Sequence, residues 1–166
     1  MKLIDLHCDT ILSCMNSNGE VKLNKNDLCV DVQKLKKAGS LAQFFALYVD
    51  LEKYSEPMDR CLDMMDCFYN EIEENSADIA FAGSIKELKK NRSEGKISAF
   101  FTVEEGGVLE GKLRNLRILY RLGVRLITLT WNYPNCIGYP NFRWEHKDKG
   151  LTAFGEEVVA EMNRLG

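Results

Sequence analysis

Four stretches of this chain are apolar almost without interruption: KLIDL at 2–6, AQFFALYV at 42–49, ISAFFTV at 97–103 and VRLITLT at 124–130. A strand with one face in water alternates apolar and polar residues. A strand covered on both faces reads as a continuous apolar run, so these four predict a parallel sheet under helices. DIAF at 78–81 is a weaker fifth candidate. Between the runs, apolar residues take helical spacing. The segment 31–39 ends on Gly39, a helix C-cap signal, and 60–74 sets Leu62, Met65, Phe68, Tyr69 and Ile72 on one core-facing stripe. Ser84 and Glu87 stand at capping-box spacing at the head of 84–90. The segment 109–123 presents Leu113, Leu116, Ile118, Leu119 and Leu122 before Gly123, and 152–166 starts behind Thr152. Strand and helix in alternation is the pattern of right-handed βαβ units. Four good strands followed by a closing helix fit two architectures: a small open α/β sandwich, or the N-terminal half, about four βα units, of a (β/α)8 TIM-type barrel.

The chain has 166 residues, 45% of them hydrophobic, enough for one domain with a real core. Its net charge of −3 comes from 22 basic and 25 acidic residues well mixed along the chain. That balance offers no footprint for nucleic acid or an anionic membrane. No apolar run approaches the roughly 20 residues of a membrane span, and no signal-peptide pattern opens the chain. The six cysteines lack metal-type CxxC spacing and read as free thiols of a reducing compartment. A soluble cytoplasmic protein is expected, with no nucleic-acid or membrane partner.

In an α/β barrel, chemistry gathers at the C-terminal ends of the strands. The first run leads into Asp5-Leu6-His7-Cys8-Asp9, the third into Glu104-Glu105-Gly106-Gly107, and the fourth into Thr128, Thr130, Trp131 and Asn132. Residues 5, 7 and 9 of an extended chain share a side, so His7 and Asp9 can grip one ion. Imidazole nitrogen and carboxylate oxygen both suit Zn²⁺. The competing reading makes Asp5 and Asp9 loop caps and His7 an ordinary polar residue. Glu104, with glycines behind it that allow close backbone approach, can serve as a bridging carboxylate. Its competing reading is an acidic pair, Glu104-Glu105, at a helix start. His146, in the polar loop FRWEHKDKG, reads as solvated. No serine or cysteine has a plausible histidine base nearby in sequence, and the glycines form no P-loop or dinucleotide pattern.

Together these segments resemble the membrane dipeptidase (renal dipeptidase) family of zinc peptidases, in its bacterial branch. The likeness is carried by IDLHCDT, AQFFALYV, FTVEEGGVLEG, LRILYRLGVRLITLTWN, TLTWNYPN and, most specifically, GLTAFGEEVVAEMNRLG. The resemblance implies a (β/α)8 barrel that hydrolyses dipeptides by a metal-activated water, with two zinc ions sharing a glutamate. Carried over by residue, His7 and Asp9 match ligands of one zinc and Glu104 matches the shared carboxylate, with Glu105 as the alternative if the loop shifts by one. Trp131 stands where the family commonly has a substrate-contacting histidine, so Trp131 and Asn132 become the substrate-binding candidates. The histidines of the second zinc lie beyond residue 166 in the family pattern. Residues 1–166 are therefore expected to form a single partial barrel domain holding at most one Zn ion. No complete catalytic set is expected within them, and the isolated chain is expected to be almost inactive.

Two rival functions remain at this level. One is an inactive metal-binding or assembly module that keeps the fold. The other is a different barrel metallohydrolase, such as a phosphodiesterase, which would need phosphate-binding cations near the strand ends. Open sheet edges also predict a homo-oligomer.

Overall fold

The computed structural model describes residues 2–166. Its elements in chain order are β1 (Leu3–Asp5), α1 (Thr10–Asn16), α2 (Val32–Ala38), β2 (Ser40–Tyr48), α3 (Pro57–Glu74), β3 (Ile79–Phe81), α4 (Ile85–Ser93), β4 (Ile97–Glu104), α5 (Leu113–Arg121), β5 (Val124–Thr128) and α6 (Ala153–Leu165). Short 3-10 turns occupy Gly106–Leu109 and Phe142–Trp144. The sheet runs β1-β2-β4-β3, and β5 also pairs with β4. β1 lies parallel to β2, and β3 lies parallel to β4. The four long apolar runs are thus neighbours in chain order, as expected for part of a (β/α)8 barrel. The weak fifth candidate is a genuine strand, three residues long, registered on the start of β4 from Ile79↔Ile97 to Phe81↔Ala99.

The chain divides into two compact units. The first comprises the segment ending at Leu47 together with Leu62–Thr102. Its centre is aromatic: Phe45, Phe68 and Phe101 are fully buried, and the Phe68 and Phe101 rings lie 4.3 Å apart. In α3 the buried stripe is Met64, Met65, Phe68 and Ile72, whereas Leu62 and Tyr69 are about 40% exposed. At 100° per residue, Leu62 and Tyr69 fall at the edge of that stripe, so the core face is turned slightly from the one expected. The buried Glu71 carboxylate accepts the Leu23 N–H at 2.7 Å and pairs with Lys22 at 3.2 Å, tying the loop before α2 to α3. Buried Asn91 donates to the carbonyls of Ala80 and Phe81, both at 3.2 Å, and so holds α4 on the short β3.

Helix caps follow the sequence. Asp31 accepts from the Lys34 N–H and Ser84 from the Glu87 N–H, and Gly39 closes α2 with φ 66°. The Glu87 carboxylate reaches back to the Gly83 N–H at 2.9 Å, completing a box one residue wider than the standard form. α1 was not apparent from periodicity. Its sequence TILSCMN is a modest helix former, and what holds it is burial of Thr10, Ile11 and Cys14.

The second unit comprises Tyr48–Cys61 and Val103–Gly166. α5 packs on α6 and β5, burying Leu116 and Leu119 while leaving Ile118 and Leu122 largely exposed. Thr152 caps α6 by accepting the Gly155 N–H at 3.0 Å, and its hydroxyl donates to the Cys136 carbonyl at 2.7 Å. Any Cβ at Gly155 would collide with the Ile137 carbonyl, so a glycine is what lets α6 start against this loop. β5 ends at Thr128, two residues before the apolar run does. The groups that would extend it are engaged elsewhere: the Leu129 carbonyl accepts from the Asn135 side chain at 2.8 Å, and the Trp131 N–H donates to Glu105.

Candidate metal centre

His7 and Asp9 follow β1 with one residue between them, and His7 Nε2 lies 3.5 Å from Asp9 Oδ1. Both side chains are exposed. Asp9 occupies the N-cap position of α1, yet its carboxylate makes no capping bond. The loop-cap reading therefore fails for Asp9. It holds for Asp5, whose Oδ1 accepts the His7 N–H at 3.3 Å. Cys8 between them turns inward, and burial pushes its thiol up to about 12. The Cys8 carbonyl accepts the Ala46 N–H at 2.8 Å, which anchors this polar tail to the sheet.

Glu104 closes β4 and is half-buried, and its carbonyl accepts the Val49 N–H at 3.2 Å. Glu105, the next residue, has φ 103° and is 1% exposed. Its carboxylate accepts the Gly107 N–H at 2.9 Å, the Trp131 N–H at 3.1 Å and the Asn135 side-chain N–H in a very short contact. The backbone reversal at Glu105 sends the two acidic side chains to different tasks. Glu105 caps the 3-10 turn and braces the β5 loop, while Glu104 is the one suited to ligation. Glu105 thus takes the helix-start role that the sequence left open for the pair, and Glu104 remains the candidate ligand.

Among the described residues, one group of three or more His, Cys, Asp and Glu side chains is close enough to share an ion: His7, Asp9 and Glu104, whose ligand atoms all lie within 4.8 Å of one another. Ligands about 2.1 Å from a tetrahedral ion stand roughly 3.4 Å apart. The His7–Asp9 separation already matches that, and one imidazole with two carboxylates is a donor set suited to a divalent metal. His146 takes no part; its ring lies 5.1 Å from that of Tyr139.

The Trp131 ring meets Tyr48 edge-on at 4.9 Å and Tyr133 at 5.9 Å, and Asn132 follows it half-buried. Burial, then the charges of Asp50, Glu104 and Glu105, raise the Tyr48 hydroxyl well above the ordinary tyrosine range. Asn135 was not anticipated. Its Oδ1 accepts the N–H groups of Ile137 at 2.7 Å and Gly138 at 3.1 Å, so with Glu105 it shapes the loop that carries Trp131. The only sequence signal was an asparagine beside a proline in YPNC, a turn composition without a stated partner.

A cavity of about 420 Å³ opens beside His7 and Asp9, walled on one side by the loop Leu28–Val30. No helix among the described residues is long and apolar enough to cross a membrane.

Known proteins with related sequences and structures agree with this architecture. The chain is 30% identical over 146 residues to Dipeptidase aclJ of Aspergillus oryzae, covering 82% of this chain and 35% of that protein. The crystal structure of a metallopeptidase called dipeptidase AC superposes with a TM-score of 0.86 at 21% identity, covering 99% of this chain and 54% of the other. A metallopeptidase from Rhodobacter sphaeroides, solved with a phosphinate mimic of the dipeptide L-Ala-D-Ala, gives 0.84 at 20% identity, covering 99% and 56%. At these identities the structures establish the fold. The chain spans about a third of the curated relative and about half of the solved ones, and it fits the N-terminal half of that architecture. The sequence profile of one family matches it from residue 1 to residue 166, and on that match the chain belongs to the membrane dipeptidase family, peptidase family M19.

Proposed function

We propose that this chain is the metal-holding N-terminal half of a dipeptidase, a single partial barrel domain in which His7, Asp9 and Glu104 hold a zinc ion. The observation that carries the reading is the donor group itself: an imidazole and two carboxylates within 4.8 Å, in a chain of this family. Zinc in such a setting supplies Lewis acidity, which polarises a peptide carbonyl and acidifies water. The protein residues have separate tasks. His7 would offer a ring nitrogen, Asp9 and Glu104 would supply negative charge, and by the family pattern Glu104 would be the carboxylate shared with a second ion. Trp131 and Asn132 contact the substrate, with the Trp131 backbone held by Glu105.

Six free thiols fit a reducing compartment, and the cytoplasm is the proposed location. Leu3, Ile4 and Leu6 are 41%, 48% and 53% exposed, an apolar strip that favours a homo-oligomer. The function is tested by assaying a dipeptide panel with added zinc, using the longer dipeptidase of which this chain is proposed to be the N-terminal half, and its His7→Ala variant. Turnover that disappears in the variant supports the reading. Turnover that persists in it, or no turnover of any dipeptide, overturns it.

A further inference from the structure

The candidate ligands share a chemical limit. A ring nitrogen and two carboxylates hold a metal through lone pairs, so the ligating atoms of His7, Asp9 and Glu104 have no proton to offer. An attacked peptide carbonyl gathers negative charge on its oxygen and gains most from donors aimed at that oxygen. The complementary group is a neutral donor beside Glu104, and β2 ends on one.

Tyr48 closes β2 as Glu104 closes β4, and the two strands are neighbours in the sheet. Side chains alternate along a strand, so residues four apart share a face. Phe44 stacks on Phe100 at 4.7 Å, which puts those two on one face. Tyr48 and Glu104 stand four residues further along the same strands, on that face. The Val49 N–H donates to the Glu104 carbonyl at 3.2 Å and brings the two strand ends level. The Tyr48 ring meets Trp131 edge-on at 4.9 Å, so it leans toward the loop after β5. It is half-buried, and among the described residues no hydrogen bond engages its hydroxyl. Other polar groups of this corner are committed. Asp50 accepts the Glu52 N–H at 3.1 Å and pairs with Lys53 at 3.0 Å, and Glu105 is held by its three N–H donors.

We propose that Tyr48 is a catalytic residue of the dipeptidase reaction, donating a hydrogen bond from its hydroxyl to the scissile carbonyl oxygen as that oxygen takes on charge. The inference rests on the dipeptidase reading and deepens it. In the step it serves, the oxygen of an activated water bonds to the carbonyl carbon, and the carbonyl π pair moves onto the carbonyl oxygen. When that pair returns, the C–N bond breaks and the amine leaves with a proton that came from the water. The Tyr48 proton stays on its own oxygen throughout. Its hydrogen bond strengthens as charge develops, so it acts on the transition state more than on bound substrate. The contact with Trp131 fixes the ring, so little rotamer freedom is lost when the bond forms.

The test uses Tyr48→Phe, which removes the oxygen and keeps the ring, in the longer dipeptidase of which this chain is proposed to be the N-terminal half. Three quantities are measured beside the wild type. They are steady-state hydrolysis of alanine-containing dipeptides, binding of a phosphinate analogue whose tetrahedral phosphorus stands in for the attacked carbonyl carbon, and zinc affinity by calorimetry. kcat should fall by about 10²–10³-fold with KM nearly unchanged, as for loss of one oxyanion donor. The phosphinate should bind at least about tenfold more weakly, and zinc affinity should not change.

A kcat equal to that of the wild type, or a rise in KM alone, overturns the assignment and leaves the dipeptidase reading standing. A fall in zinc affinity that accompanies the lost turnover also overturns it, since Tyr48 would then act through Glu104. If the wild type hydrolyses no dipeptide, weaker phosphinate binding by Tyr48→Phe keeps the contact and removes the dipeptidase reading. Unchanged phosphinate binding in that case, or none by the wild type, removes both.

Discussion

The Glu105 carboxylate accepts the Trp131 N–H at 3.1 Å across 26 residues of sequence, and in doing so couples the end of β4 to the loop after β5. Three N–H groups, one buried and two part-buried, depend on this one side chain, whose residue has a φ of 103°. Glu105→Ala leaves those donors unpaired and should destabilise the protein by roughly 3 kcal/mol, given about 1–3 kcal/mol per stranded buried group and partial relaxation. Glu105→Gln keeps one acceptor oxygen and should recover part of the loss. Urea unfolding of the two variants beside the wild type measures both.

Gly155 faces the Ile137 carbonyl with no room for a methyl group. Gly155→Ala should therefore cost about 1–3 kcal/mol by overpacking, even though alanine is the better helix former. An equally stable variant by thermal or urea melts would mean that α6 can slide away from the loop.

Acid should loosen the α5–α6 pair within a defined window. Hydrogen bonds from Arg164 and then Arg117, with their charges, hold Glu161 down to about 2 from an ordinary 4.5. A depressed carboxyl contributes stability above its unfolded pKa and loses it as pH falls through the folded one, so the loss should run from pH about 4.5 to about 2. Melting temperatures taken down this range should fall less steeply for Glu161→Gln, which is already uncharged. Parallel slopes would assign the acid loss to other groups.

The exposed strip Leu3, Ile4 and Leu6 should drive self-association. Sedimentation at tens of micromolar, about the concentration where exposed edges associate, should show dimers or larger species, and Leu6→Lys should reduce them. A monodisperse monomer for the unaltered protein would remove the homo-oligomer from the account.

Much of this was legible because period and burial coincide. β2 and β4 are mostly buried and leave continuous apolar runs, whereas β1, apolar in the same way, is exposed at Leu3 and Ile4. Ser84 and Thr152 announce their helices by cap chemistry that acts within three residues, and Asp31 does the same for α2 without having been singled out. What escaped depended on partners distant in sequence. α1 is held by burial rather than propensity, and β5 stops early because Asn135 and Glu105 take its next backbone groups. The stripe on α3 was read a fraction of a turn off, since Leu62 and Met65 are spaced for one face but the packing centre lies nearer Met64 and Phe68. At the site, HxD spacing was enough to nominate His7 and Asp9. Nothing in GluGlu distinguishes the ligand candidate from the brace; that follows from a positive φ at the second residue.

The central claim is that His7, Asp9 and Glu104 form one metal site, and zinc titration calorimetry on the folded protein tests it most directly. The wild type should bind one zinc ion through this chain's donors. His7→Ala, Asp9→Asn and Glu104→Gln should each weaken binding by more than about tenfold, the loss that removal of even an outer partner of a ligand brings. His146→Ala, altered at the histidine packed on Tyr139, should bind as the wild type does. Equal zinc affinity in the wild type and the three ligand variants, or no zinc binding by the wild type, would contradict the account.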